Sequence, residues 1–290
     1  MAFLGTPPIA VPVLQALQEA GYEVPLVVSG PDRRRGRGGK TTPTAVKAAA
    51  LELGLTVSDD IAELVSAHHQ APIDLAIVVA FGQLIRRPVL EQIPMVNIHF
   101  SPLPRWRGAA PVERAILAGD TETAVAIMSI VEALDEGDIW ATVPVPIAPT
   151  DTLHGLWESM SHIGAEVLVQ TMKAGFTNPE PQTGDPVYAR KLDGSDRQID
   201  WTASAEQVGR VVRVGGAWTV FDGERFKVHE VEVLDASSLE RAAIEDLVVG
   251  TSDGSIRLVT VQPAGKPRMD ASAWANGAQP DGKSFSSELA

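Results

Sequence analysis

Leu75-Ala76-Ile77-Val78-Val79 is an uninterrupted apolar run, and it decides the fold. Five apolar residues without polar alternation describe a strand covered on both faces, as in a sheet flanked by helices. The same grammar repeats outward from it. Upstream, Ala2-Phe3-Leu4 runs into Gly5-Thr6-Pro7-Pro8. That is a strand end turning into a helix, with Thr6 as the expected N-cap and a proline in the first turn. Val11, Leu14 and Leu17 continue as a helical stripe towards Gly21. Residues 24–28 read as a second strand, 42–54 as a second helix and 95–100 as a further strand. Strands alternating with helices imply right-handed βαβ units and a parallel, Rossmann-like sheet. Residues 124–131 and 140–147 read as later strands. Thr150-Asp151 then opens a long helix, with Leu153, Leu156, Trp157, Met160, Ile163, Val167 and Leu168 at the helical period and Gly175 at its end.

Beyond residue 175 the pattern changes. Pro179, Pro181, Gly184, Pro186 and Gly194 give a linker composition. A short helix over 205–214 precedes β segments in which Asp222-Gly223 and Asp253-Gly254 read as tight turns. Strands without long intervening helices suggest a small antiparallel barrel. The expected organisation is an α/β domain over 1–178, a linker over 179–196 and a small β-barrel domain over 197–290, with the polar stretch 270–290 fraying. A length of 290 residues suits two domains.

The formal net charge of −13 makes the chain a poor non-specific binder of nucleic acid. Against that balance, Arg33, Arg34, Arg35, Arg37 and Lys40 crowd into one glycine-rich loop. Charge runs are commonly just solvated, but phosphate contact is the favoured reading of this one. The absence of cysteine excludes disulfides, zinc thiolate sites and thiol catalysis, and fits the cytoplasm. No apolar run reaches the length of a membrane span, and residues 1–8 lack the regions of a signal peptide. The first apolar run is short for a buried strand, so a few residues are expected to precede Met1.

The chemistry is concentrated in Asn97-Ile98-His99-Phe100-Ser101-Pro102-Leu103-Pro104-Arg105-Trp106-Arg107-Gly108. Alternate strand residues share a face, so Asn97, His99 and Ser101 point one way. A polar row on an inner strand carries a desolvation cost unless something uses it. It lies at the carboxyl end of the strand, where open α/β sheets place ligands. The alternative is that Asn97 and His99 merely satisfy neighbouring backbone. Pro102 and Pro104 end the strand and stiffen the following loop.

Asn97-x-His99 with Pro104-Arg105-Trp106-Arg107-Gly108-Ala109-Ala110-Pro111 resembles the folate-dependent formyltransferases, and among them those acting on methionyl-tRNA. Members share an Asn, a His two residues later and an Asp in a later turn. The resemblance assigns that third place to Asp135 in Leu134-Asp135-Glu136-Gly137-Asp138, leaving Glu136 and Asp138 as turn residues. Gly5-Thr6-Pro7 matches the family's opening loop. Pro31-Asp32-Arg33 with Gly36-Arg37-Gly38 matches its flexible tRNA-contacting loop, which points to Arg33, Arg37 and Lys40. Ala80-Phe81-Gly82 and the loop Ser101-Pro102-Leu103-Pro104 match its folate-contacting segments, with Pro102 where the family usually has Leu. Ile199-Asp200-Trp201 and Val261-Gln262-Pro263-Ala264-Gly265-Lys266 match its carboxyl-terminal OB-type barrel, although Gly215-Gly216-Ala217-Trp218-Thr219 replaces a usual Asn-Pro-Trp-Pro stretch.

The resemblance therefore implies transfer of a formyl group from the co-substrate 10-formyltetrahydrofolate to the α-amine of methionyl initiator tRNA. It implies no metal, and a monomer is expected. Two alternatives remain: a formyltransferase acting on a nucleotide-linked amino sugar, and a non-enzymatic RNA-binding OB module. A free-amine formyltransferase of purine synthesis would match the first domain only. The first turn lacks G-x-G-x-x-G, which argues against a dinucleotide cofactor. His68 and His69 read as solvated residues at a helix end, and His154 and His162 as structural ones. Trp106 is left open between stacking on a base and filling a domain interface.

Overall fold

The computed structural model describes residues 1–34, 39, 41–236 and 238–288, with Arg33 and Arg34 described by backbone alone. By contact the chain divides into two units. The first comprises Met1–Val112, Glu122–Pro146 and Leu156–Arg190, and the second Glu113–Thr121, Ile147–Gly155 and Lys191–Ala290.

The first unit is built on a seven-stranded sheet in the order Ile139–Pro146, Glu122–Ser129, Met95–His99, Ala76–Val79, Ala2–Gly5, Leu26–Val28, Val57–Ser58. The strands from Met95–His99 to Val57–Ser58 run parallel. Ala76–Val79 and Ala2–Gly5 are buried along their whole length, as continuous apolar runs require. The expectation of a parallel sheet needs correcting at one edge. Glu122–Ser129 is antiparallel to Met95–His99, and Ile139–Pro146 is antiparallel to Glu122–Ser129. The segment joining these last two strands is too short for a helical crossover, so the chain returns as a hairpin. Its turn is Leu134–Asp138 and its neighbours, which brings that segment beside the carboxyl end of Met95–His99.

Thr6 does not cap a helix. Its hydroxyl donates to the Phe81 carbonyl at 3.0 Å and accepts from the Gly30 amide at 3.2 Å, stitching together three strand ends. The helix Val11–Glu19 follows a short turn at Pro8–Ala10. Gly5 is required where strand gives way to this turn, because a Cβ there would lie 2.9 Å from the Phe3 ring and 3.1 Å from the Val79 carbonyl oxygen. Thr44 caps Ala45–Glu52 by accepting from the Lys47 amide at 3.1 Å. On the long helix Leu153–Lys173, Leu153, Leu156, Met160, Val167 and Leu168 are buried, while Trp157, His154 and His162 are exposed. Gly164 lets Ile98 pack against this helix, a Cβ there meeting the Ile98 side chain at 3.0 Å.

The expected linker is only partly one. Glu180 pairs with Ile139, and Val187–Ala189 forms a parallel pair with Arg105–Gly108. Proline and glycine break helices but not extended pairing at a sheet edge, so composition concealed these contacts.

The second unit is an antiparallel sheet built on Trp218–Phe221, Glu224–Leu234, Val248–Gly250 and Ser255–Gln262. Asp222 and Gly223 make the expected tight turn with positive φ at both residues. The helix Ala205–Val214 begins at Ser204, whose side chain accepts from the Gln207 amide at 3.2 Å. The core is aromatic: Trp201, Phe221, Phe226, Trp274 and Phe285 are buried together, with Trp201 and Phe285 stacked at 5.2 Å. The tail is not frayed through 288. Ala271–Ala278 is a helix, Ser286 pairs with Val220, and Phe285 is buried. Two large aromatic side chains, Trp274 and Phe285, contribute enough burial to hold an otherwise polar segment.

Candidate active site

The strand Met95–His99 carries the site. Val96 and Ile98 are buried, and Ile98 faces the long helix, so the strand's alternation turns Asn97 and His99 to the opposite side. They enter a cavity of about 540 Å³ at the carboxyl ends of the parallel strands. Asn97, His99 and Asp135 all line it, as do Phe81 and Gly82.

His99 is buried, and its Nε2 lies 2.9 Å from the Trp106 carbonyl. A carbonyl only accepts, so Nε2 donates, and the ring hydrogen of neutral His99 is on that nitrogen. Nδ1 then faces Asp135, 3.8 Å from Oδ2. The same carboxylate oxygen accepts from the Gly108 amide at 2.7 Å. The Asn97 amide makes no hydrogen bond among the described residues, and is therefore available to something entering the cavity. Ala80, Trp106 and Asp135 all adopt positive φ, at 47°, 65° and 52°. Such conformations cost about 1–3 kcal/mol each and collect at functional sites.

Ser101, Pro102, Leu103 and Pro104 lie beyond the strand and outside the cavity wall. Ser101 is buried and donates to the Arg105 carbonyl at 2.7 Å, inside a turn that contains a cis Leu103–Pro104 bond. This turn presents the Trp106 carbonyl to His99. Trp106 itself is buried, with the Arg105 guanidinium 4.3 Å above its ring, so its face is not displayed for a base. Of the basic loop, Arg33 is described by backbone alone, in a short pair with Thr42. Arg37 and Lys40 lie outside the described residues.

Three features were missed from sequence. Leu84, Val131 and Leu134 stand exposed at the cavity, an apolar rim suited to covering by a ligand. The Gly108 amide holds Asp135, which no side-chain pattern announces. Gln182 bonds to the Asp135 and Gly137 carbonyls from the segment read as a linker. Trp218, in the second unit, sits 4.0 Å from the Arg225 guanidinium, whereas the other aromatic residues noted there are buried or engaged in the core. Among the described residues no cluster of three or more metal-ligating side chains occurs, and no helix is long and apolar enough to cross a membrane.

Asn97, His99 and Asp135 meet over an apolar cavity at the carboxyl ends of Ala76–Val79 and Met95–His99, an arrangement suited to binding a small-molecule ligand. Residues 1–172 match the family Formyl transferase, and residues 191–279 match Formyl transferase, C-terminal domain. A methionyl-tRNA formyltransferase of Thermobifida fusca is 43% identical over 307 residues, covering 98% of each chain. The chain belongs to the formyl transferase family. Its fold is similar to that of a methionyl-tRNA formyltransferase from Clostridium thermocellum, with a TM-score of 0.60, 14% identity and coverage of 80% of this chain and 92% of that one. It is also similar to HypX from Aquifex aeolicus in complex with tetrahydrofolic acid, with a TM-score of 0.65 and 19% identity. That match covers 94% of this chain, which spans about half, 46%, of HypX.

Proposed function

We propose that the chain transfers a formyl group from 10-formyltetrahydrofolate to the α-amine of methionyl initiator tRNA. The observation that carries this reading is the junction of Asn97, His99 and Asp135 in one apolar cavity. Its volume and lining suit a flat, drug-sized ring system with a few polar anchors, and Phe81 and Gly82 would contact the folate. The 43% relative over the full chain favours methionyl-tRNA as acceptor.

Attack of the amine on the formyl carbon places negative charge on the formyl oxygen. The Asn97 amide donates a hydrogen bond there, and one such donor typically lowers the barrier by about 3 kcal/mol. His99 acts from Nδ1, because Trp106 occupies Nε2. Asp135, beside that nitrogen, accepts the proton the amine must lose and returns it to the departing folate nitrogen, directly or through one water. No residue needs to form a covalent intermediate.

Arg33, Arg37 and Lys40 would contact tRNA phosphates, and the carboxyl-terminal sheet would act as an OB-type barrel that also takes part in recognition. An OB module without catalysis is disfavoured, since its aromatic side chains are mostly in the core and leave little stacking surface. We place the protein in the cytoplasm, as a monomer. Labelled formyl donor offered with methionyl initiator tRNA, or with a nucleotide-linked amino sugar, tests the reading. Label on the tRNA is expected; label on the sugar alone overturns the assignment of acceptor, and label on neither overturns the activity.

A further inference from the structure

Asp135 is held in a left-handed conformation by contacts that come from outside its own segment. Gln182 makes the most of these. Its Nε2 donates to the Asp135 carbonyl at 2.8 Å and to the Gly137 carbonyl at 2.9 Å. Its Oε1 accepts from Arg107 Nε at 3.0 Å and Arg107 Nη2 at 2.8 Å. The amide's two donor hydrogens and both acceptor lone pairs are thereby used. Arg107 is buried and closes the arrangement from the other side, with Nη1 2.8 Å from Glu136 Oε1. The residue after Arg107 is Gly108, whose amide holds the Asp135 carboxylate. Gln182 thus fastens the backbone of the Asp135 turn to Arg107, and the Gly108 amide fastens the Asp135 carboxylate to the same strand, Arg105–Gly108.

We propose that Gln182, bridged to Arg107, is a positioning residue for Asp135 in formyl transfer. This rests on the formyl-transfer reading above. Gln182 is not itself part of the cavity lining and bonds to the lining residue Asp135, so it acts through Asp135. Only a glutamine amide has both the two donors for adjacent carbonyls and an acceptor for the guanidinium at this reach. Asparagine is a methylene short. Glutamate keeps the acceptor but sets a carboxylate against two carbonyl oxygens.

The test uses the full chain and four proteins: wild type, Gln182→Met, Asp135→Ala and the double variant, with single-turnover and steady-state formylation of methionyl initiator tRNA. Gln182→Met is expected to lower kcat by on the order of 10²-fold, the effect of an ~1 Å misplacement of a reacting group. KM for both substrates should stay within about twofold, since neither is bound by Gln182. In the Asp135→Ala background the same change is expected to cost less than about threefold, because residues acting as a unit are not additive. A generally structural role would lower both backgrounds by the same factor, and that result overturns the proposal. So does a Gln182→Met kcat within about threefold of wild type. Gln182→Glu serves as the second variant if Gln182→Met does not fold. If neither folds by thermal melting, the side chain maintains the fold itself and the proposal is overturned. A wild type that transfers no formyl group removes the underlying reading; an active wild type with an unaffected Gln182→Met removes this inference alone.

Discussion

Gly137→Ala isolates how tightly the Asp135 turn is set. A Cβ at Gly137 would sit 1.9 Å from the Ser129 carbonyl oxygen and 2.7 Å from its carbon, where real Cβ atoms stay beyond 3.0 Å. Both contacts are backbone, so no side chain can swing away, and the turn has to retreat by about 1 Å. It is also tied to that strand by the Ser129 amide, which donates to the Asp138 carbonyl at 2.9 Å. Asp135 is two residues away and moves with the turn, loosening its 2.7 Å bond from the Gly108 amide. A displacement of ~1 Å at a reacting group costs on the order of 10²-fold in rate, equivalent to about 2.7 kcal/mol of barrier. The assay is steady-state formylation at saturating donor and acceptor, with a thermal melt to establish folding. Gly194→Ala is the control, because its added Cβ meets nothing within 4 Å. The control should stay within about twofold of wild type. A Gly137→Ala enzyme with kcat within about threefold of wild type and an unchanged melt would refute the reasoning, since the turn would then be tolerant of displacement.

Two further outcomes concern the second unit. Arg114 and Asp196 form a bidentate pair at 2.9 Å and 2.9 Å, with side chains only 15% and 10% exposed. Asp196→Ala should cost about 3 kcal/mol, lowering Tm by roughly 6–12 °C. A shift under about 2 °C in calorimetry would show that the pair contributes little. Burial raises the Glu113 carboxyl above its ordinary 4.5, against a backbone hydrogen bond and the charges of Arg197 and Arg114. A raised folded-state value gives a contribution present below 4.5 and lost as pH rises through that value. The urea midpoint of Glu113→Gln should therefore gain on wild type as pH rises above 4.5 and then level off; a difference constant from pH 4 to 8 contradicts this.

The legibility of this chain follows from which interactions periodicity reports. The continuous apolar run at 75–79 revealed the parallel core, because burial on two faces leaves no alternation. It did not reveal that 124–131 returns antiparallel, since an apolar run reports burial and carries no information on strand direction. Asn97 and His99 were readable as a polar row that an apolar strand has no reason to carry. Asp135 was readable only through resemblance, being one of several acidic residues in its turn. Gln182 was invisible, because a proline-rich stretch gives the same composition whether it spans solvent or fastens a turn. The tail was misread because Trp274 and Phe285 are two aromatics in an otherwise polar segment, and two buried rings outweigh the composition around them.

The most direct measurement is single-turnover transfer of labelled formyl from 10-formyltetrahydrofolate to methionyl initiator tRNA by wild type and His99→Ala, each folded by melting analysis. Rapid transfer by wild type is expected, with a rate lower by about 10²–10⁴-fold in the variant. A His99→Ala rate within tenfold of wild type would mean that the ring between Trp106 and Asp135 plays no part in the chemistry.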